Sequence, residues 1–140
     1  MTKKEKAAYD KQYKKNNPDK IRKKNFDYLS RPKNRVHHLV HAAAYRSKLS
    51  GREINKEYLL NFKDCPPTHC DCCGVKFDYS VGKGPRRLSN NPSIDRVDNT
   101  KGYIPGNIAF ICMKCNCTKG ASSLAELRQI IKYMEKHGVK

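Results

Sequence analysis

The sequence is poor in hydrophobic residues and in negative charge. Hydrophobic residues make up 37% of the 140, tryptophan is absent, and 13 acidic residues stand against 30 lysines and arginines. No apolar run approaches the ~18 residues of a membrane span, and the N-terminus lacks the apolar segment of a signal peptide. We therefore expect an intracellular, cytoplasmic protein with no membrane partner. Its length suits one domain with a tail, and its core must be modest.

The positive charge is concentrated near the N-terminus. The net charge of +17 favours a polyanionic partner, with nucleic acid as the default. Residues 1–35 hold 13 basic and 4 acidic residues, so we interpret them as a mobile basic arm, with a short helix before Pro18, that orders on a phosphate backbone. Residues 36–140 would form the folded domain, and a merely solvated tail is the alternative for the arm. The arm residues predicted to contact DNA are Lys14, Lys15, Arg22, Lys23 and Lys24.

Apolar spacing and capping residues predict helices on both sides of a turn-rich middle. A helix from Val36 should end at Gly51, and Asn55 should cap a second, short helix. Ser123 and Glu126 form a capping-box pattern that opens a C-terminal helix. Residues 68–111 should hold short strands between turns. Their turn signals include Gly82, Gly84 and Pro85.

Four of the seven cysteines form two Cys-x-x-Cys pairs. Each pair can bring two thiolates from one tight turn to a single ion, and two pairs make a closed, tetrahedral, structural zinc site. A redox pair is the alternative, but the thioredoxin-like βαβ context is missing. The predicted zinc ligands are Cys70, Cys73, Cys112 and Cys115. The other three, Cys65, Cys72 and Cys117, are expected to be free thiols, although Cys72 lies in register to replace a neighbour.

The segment between the two pairs predicts a strand ending in a carboxylate, a polar loop, a second strand and a helix. Pairing of the two strands, together with a zinc ion held by both cysteine pairs, would bring Asn116 beside Asp95. A carboxylate and an amide oxygen, with water, suit a hard ion such as Mg²⁺. The alternative for Asp95, Asp98 and Asn99 is a turn built on Asx side chains.

In combination these motifs resemble the HNH endonucleases (His-Me finger, or ββα-metal, nucleases), especially the zinc-stapled members common in phage genomes. The resemblance rests on both cysteine pairs, on Gly106-Asn107 and on Cys115-Asn116-Cys117-Thr118-Lys119, and it is closest over residues 92–120. It implies an α+β fold, in which a small zinc-stapled ββα-metal core carries flanking helices and the basic N-terminal arm.

The resemblance also implies roles for individual residues. Asp95 and Asn116 would bind a catalytic Mg²⁺ or Mn²⁺, and Asn107 would brace the loop between the strands. Lys119 and Arg96 would face phosphate. Many family members have a histidine general base where this chain has Arg96, and a guanidinium cannot accept a proton.

The identity of the base therefore stays open among Asp98, His69 and a metal-bound water. Three further histidines, His37, His38 and His41, lie on the predicted upstream helix, where phosphate contact or packing is the expected role.

The resemblance implies a metal-dependent endonuclease that hydrolyses phosphodiester bonds in double-stranded DNA and needs no small-molecule cofactor. If phage-encoded, it would act in the cytoplasm of the host cell. The alternative is a non-catalytic, zinc-dependent DNA-binding module derived from such a nuclease, and Arg96 is the main argument for it. Target sequence, nicking or double-strand cleavage, and oligomeric state are left open.

Overall fold

The computed structural model describes residues 1–81 and 89–139, so the turn signals at Gly82, Gly84 and Pro85 lie outside the described residues. Within these ranges six α-helices, a short 3₁₀ helix (Asn61–Lys63) and two strands follow one another along the chain. They are α1 (Lys3–Asn16), α2 (Pro18–Leu29), α3 (Pro32–Ser50), α4 (Lys56–Leu60), β1 (Pro92–Arg96), β2 (Ile108–Cys112), α5 (Met113–Lys119) and α6 (Leu124–Lys136).

The basic N-terminal segment is helical. The helix predicted before Pro18 is confirmed, but the rest of the segment is helical as well, where an irregular arm was expected. Lysine, alanine and glutamate are good helix formers that need no apolar stripe. Thr2 and Glu5 form a capping box at the start of α1, and Pro18 occupies the first turn of α2. Since α3 begins at Pro32, the proposed boundary at residue 36 falls inside a helix.

Helix α3 carries the apolar face that the sequence predicts. Val36, Leu39, Val40 and Ala43 are buried on that face, whereas Ala44 is only half-buried. The helix ends at Gly51, whose φ of 65° is left-handed and therefore favours glycine. Helix α3 contacts α2, α4, the 3₁₀ helix and β1, so the sheet packs against this helix through β1.

The two strands form an antiparallel hairpin. Its register pairs Pro92 with Cys112 and Arg96 with Ile108. In β1 all residues but the last are buried, and Ile94 joins Phe110 and Leu59 in the core. Helix α5 follows β2 directly and contacts both strands, which completes a ββα unit.

The loop between the strands is fastened to the segment before α4. The Tyr103 N–H donates to the Glu53 carbonyl at 3.0 Å, and the Asn55 N–H donates to the Tyr103 carbonyl at 2.9 Å. A Cβ on Gly102 would collide with the backbone of Glu53. Glycine is therefore required at position 102, where the loop comes close to the segment before α4.

Helix α6 is capped as predicted but is not covered. The Ser123 N–H donates to the Glu126 carboxylate, and the Ser123 hydroxyl accepts the Glu126 N–H. Its apolar residues Leu124, Ile131 and Met134 are exposed. No helix among the described residues is long and apolar enough to cross a membrane.

Candidate metal centre and strand-loop site

The four predicted zinc ligands come together. The sulfur atoms of Cys70, Cys73, Cys112 and Cys115 all lie within 4.8 Å of one another. The Cys73 and Cys112 sulfurs are 3.8 Å apart, which suits a tetrahedron with Zn–S bonds of about 2.3 Å, whose sulfurs are about 3.8 Å apart. This cluster can therefore hold a structural metal such as zinc.

Backbone N–H groups point at these sulfurs. The N–H of Cys112 donates to the Cys70 sulfur at 3.2 Å, that of Cys73 to the same sulfur at 3.5 Å, and that of Cys115 to the Cys112 sulfur at 3.4 Å. Burial opposes ionisation of Cys70, but the N–H donors of Cys73, Cys112 and Cys72 outweigh it and lower the pKa of Cys70 to about 6. Thiolate character at Cys70 is what a metal ligand needs.

The remaining thiols lie outside the four-sulfur group. Cys65, Cys72 and Cys117 are exposed. Cys72 still interacts with Cys115, whose pKa is raised by burial and by the neighbouring thiols, Cys72 among them. Replacement of a ligand by Cys72 stays a prediction.

On the sheet, Asp95 contacts Lys119. The Lys119 ammonium donates to Asp95 Oδ1 at 3.1 Å and to the Arg96 carbonyl at 2.8 Å, and it lies 3.4 Å from Asn99 Oδ1. The Asp95 side chain is only 8% exposed and that of Lys119 25%. Helix α5 therefore places a cation against the carboxylate that was expected to hold a metal.

Asn116 reaches the same strand at a different residue. Its side-chain Nδ2 donates to the Ser93 hydroxyl at 3.0 Å, and that hydroxyl donates to the Ile111 carbonyl at 2.7 Å. Ser93 and Asp95 are two positions apart on β1 and so lie on one face. Asn116 thus returns to this strand as expected, and its amide contacts Ser93.

Arg96 holds the loop after β1. Its Nη1 donates to the carbonyls of Asn99 and Lys101, both at 3.1 Å, and its guanidinium lies 5.4 Å from the centre of the Tyr103 ring. Arg46 of α3 also lies against this ring, at 5.8 Å, and donates to the Tyr103 hydroxyl. The sequence carried no signal for this second arginine.

Asp98 and Asn107 shape the same loop. Asp98 Oδ1 accepts from the Thr100 N–H at 2.9 Å and the Thr100 hydroxyl at 2.6 Å, which makes an Asx turn. The hydroxyl and N–H of Thr100, with Lys101, lower the pKa of Asp98. The buried Asn107 side chain accepts from the Asp98 N–H and donates to the carbonyls of Asp98 and Gly102, so it braces the loop.

The histidines lie apart from these contacts. His69 pairs with the Thr68 hydroxyl at 2.9 Å. On α3, the Nε2 atoms of His37 and His41 are 3.2 Å apart. Burial, Lys56 and His37 lower the pKa of His41. His38 is exposed on the same helix.

The predicted DNA contacts of the N-terminal segment lie on its exposed helical surface. Lys14, Lys15, Arg22, Lys23 and Lys24 are all exposed. A shallow pocket on α2 is lined by Lys20, Lys23, Lys24, Asp27, Tyr28 and Arg31. Four basic residues and one acidic residue thus share this pocket with the exposed Tyr28.

No family model matches the chain, and a search of curated proteins gave no match. A solved structure does match: the chain is similar to the rare-cutting HNH restriction endonuclease PacI, with 18% sequence identity and a TM-score of 0.52. The alignment covers 75% of this chain and 82% of PacI. The fold is of the HNH nuclease type. At this identity the similarity bears on the fold alone.

Proposed function

We propose that the protein is a DNA endonuclease that hydrolyses phosphodiester bonds in double-stranded DNA. The observation that carries the proposal is the ββα unit, in which α5 brings Lys119 to the buried Asp95 on β1. The similarity to PacI, described as a restriction endonuclease, supports it. The phage origin and intracellular location suggested by the sequence belong to this proposal.

Basic side chains of the protein would bind the DNA substrate. The exposed lysines and arginines of α1 and α2 would contact phosphates along the duplex, and this contact carries no sequence information. At the hairpin, Lys119 and Arg96 are cations placed to stabilise negative charge on a phosphate. Because Arg96 also holds two loop carbonyls, it would position the loop as well as the phosphate.

The donor atoms at the hairpin suit a divalent ion. Asp95 offers a carboxylate oxygen and Asn116 an amide oxygen, and both are hard donors preferred by Mg²⁺ and Mn²⁺. When bound, such an ion would polarise the phosphate and lower the pKa of a bound water. Proton acceptance stays proposed for Asp98 or His69, although Asp98 Oδ1 already accepts two hydrogen bonds from Thr100.

A second function, a zinc-dependent DNA-binding module without catalysis, is favoured by two observations. Asp95 is already neutralised by Lys119, and Arg96 stands where a histidine base is usual. A module that only binds DNA would use the same basic helices and the same cysteine cluster, and it would need no free carboxylate.

Nicking of supercoiled plasmid in Mg²⁺ and in Mn²⁺ separates the two functions. We expect wild-type protein to cut and Asp95→Ala to lose about 100-fold or more of the rate, while the matched surface variant Asp64→Ala cuts normally. Zinc content and circular dichroism should be equal in all three proteins. Wild-type protein that binds the plasmid but leaves it intact in both metals would select the binding module.

Arg96→His tests the base position in the same assay. A faster rate in this variant would show that the histidine position of the family can still accept a proton here. An equal or slower rate would place the base elsewhere, or show that the hold of Arg96 on the loop matters more than the lost base.

A further inference from the structure

Two histidines on α3 face each other across one helical turn. His37 and His41 are four positions apart, a spacing that places two side chains on the same face of a helix. Their Nε2 atoms lie 3.2 Å apart, and their ring centres lie 4.4 Å apart with the ring planes tilted by 53°. His37 is half-buried and His41 is exposed, so solvent reaches the pair.

The separation of the two nitrogens suits one shared metal ion. Zinc binds imidazole nitrogen at about 2.0–2.1 Å, so two nitrogens 3.2 Å apart subtend an angle of about 100–106° at the ion, close to that of a tetrahedron. The same spacing separates the two zinc-binding histidines of the His-Glu-x-x-His motif of metalloproteases. Here His38 takes the place of the glutamate base of that motif, so the pair predicts metal binding and not peptide hydrolysis.

The state of the two rings also favours a metal. At 3.2 Å the Nε2 atoms fit a hydrogen bond in which one ring donates and the other accepts. A metal can replace this bond without loss of a proton, because the donating ring can carry its N–H on Nδ1 instead. Burial, Lys56 and His37 lower the pKa of His41, so its ring is neutral at pH 7 and above.

Lys56, at the start of α4, is the charge that opposes a cation here. It lowers the pKa of His41 through its positive charge, and it would repel a metal ion in the same way. Both Lys56 and His41 are exposed, so water and salt screen this repulsion. The charge of Lys56 would therefore weaken metal binding and not prevent it.

We propose that His37 and His41 form a second metal site, which takes a transition-metal ion such as Zn²⁺, Ni²⁺ or Cu²⁺ and is separate from the cysteine cluster. Imidazole suits these ions, whereas oxygen ligands suit Mg²⁺ and Mn²⁺. Within residues 1–81 and 89–139, no third histidine, cysteine or carboxylate completes a metal-binding group with the pair, so water would fill the remaining positions. The site does not depend on the proposed nuclease function.

A zinc titration of the full-length protein, already loaded with zinc at the cysteine cluster, tests this site at its ring nitrogens. Two-dimensional ¹H–¹⁵N NMR of the histidine side chains detects coordination of each ring nitrogen, and calorimetry measures the affinity. We expect one further zinc ion to bind, with the Nε2 signals of His37 and His41 shifted. The signals of the other three histidines, His38, His69 and His137, should stay in place.

Single substitutions identify the ligands. His37→Gln and His41→Gln should each lose at least about tenfold of the affinity for the added zinc, because a lone imidazole has no second donor at high effective concentration. His38→Gln is the matched control, since His38 is exposed on the same helix, and it should bind like the wild type. Before the titration, the zinc content of the cysteine cluster should be equal in all variants.

The exposed thiols of Cys65, Cys72 and Cys117 can also take up zinc, and the ring signals separate the two kinds of site. Zinc uptake that leaves the Nε2 signals of His37 and His41 unchanged would overturn the proposal. Equal affinity in the wild type and in both glutamine variants, or an equal loss in His38→Gln, would overturn it as well. Because no DNA is present, an inert plasmid assay would reject the endonuclease and leave this result intact.

Discussion

Two regions of the molecule differ in how much of their side-chain surface is buried. The core region, here α3 with the elements from α4 to α5, contains the buried apolar side chains and the cysteine cluster. The peripheral helices α1, α2 and α6 contain no fully buried residue. The core region is therefore held by side-chain packing and can hold a structural metal, whereas the peripheral helices depend on helix propensity and capping.

The distribution of charge matches this contrast. Helices α1 and α2 bury no side chain, so their lysines can stay in water. In the core region few charged side chains are buried. Asp95 is one of them, and Lys119 pairs with it. Under the proposed function, α1 and α2 would bind the DNA backbone and the core region would carry the cleavage site.

Loss of the metal should break the core region first. Cys112 is 1% exposed and shares the cluster with three other thiols. Structural zinc contributes about 10–16 kcal/mol in small zinc domains, which is as large as the ~5–15 kcal/mol net stability of a typical domain. We expect Cys112→Ser to lose zinc and cooperative unfolding in calorimetry.

Cys65→Ala is the matched control for Cys112→Ser, because Cys65 is exposed and lies outside the cluster. A Cys112→Ser protein that keeps a sharp unfolding transition would refute the dependence of the core region on the metal.

A pair of alanine substitutions compares the two regions directly. Leu59 is fully buried, so Leu59→Ala should cost about 2–5 kcal/mol of unfolding free energy. Ile131 on α6 is 54% exposed, so Ile131→Ala should change it by less than about 0.5 kcal/mol. Urea denaturation measures both. A large loss in Ile131→Ala would mean that α6 is covered in solution by a partner or by a second copy.

Helices α1 and α2 should instead control affinity for DNA. Lys23 and Lys24 are exposed on α2 and line its basic pocket. If each contacts one phosphate, Lys23→Gln with Lys24→Gln should reduce the salt dependence of log K by about 2 and leave stability unchanged. Fluorescence anisotropy over a salt series measures the slope, with Lys132→Gln and Lys136→Gln on α6 as the control. An unchanged slope would remove α2 from the interface.

The smallest expected effect is the pH response of a helix cap. Hydrogen bonds from the Ser123 backbone and hydroxyl lower the pKa of Glu126 below its ordinary 4.5. Because the pKa of Glu126 is lowered in the folded protein, the stabilisation of α6 by this cap is complete above pH 4.5. It is lost as the pH falls through the pKa of Glu126 in the folded protein. NMR of the Ser123 amide should follow this loss, and Ser123→Ala should return the Glu126 pKa toward 4.5. A pKa of Glu126 that is unchanged by Ser123→Ala would show that the Ser123 hydroxyl does not contact the Glu126 carboxylate.

Local patterns in the sequence were sufficient for several features. The capping residues Asn55 and Ser123 cap their helices because capping involves neighbours three positions apart. The four cysteines meet because each Cys-x-x-Cys turn brings its own pair together. Residues 18–29 have no apolar stripe that would predict a helix, yet they are helical because helix propensity and a proline in the first turn suffice.

Contacts between distant segments were harder to predict. The Asx turn at Asp98 was an open alternative, and the structure shows it. The sequence predicts a metal shared by Asp95 and Asn116, which stays a prediction, and it gives no sign that a lysine one helical turn beyond Asn116 contacts Asp95. That difference of three residues depends on how α5 lies across β1, and no local pattern encodes it.

By itself the sequence determined where the capped helices α4 and α6 begin, which cysteines can share a metal, and where the positive charge is concentrated. These properties depend on residue type and short spacing. Only the tertiary structure decided that Lys119 faces Asp95, that Arg96 and Arg46 enclose Tyr103, and that the apolar face of α6 is exposed. Each of these depends on the relative placement of elements far apart in the chain, which is set by burial of the core and by the cysteine cluster.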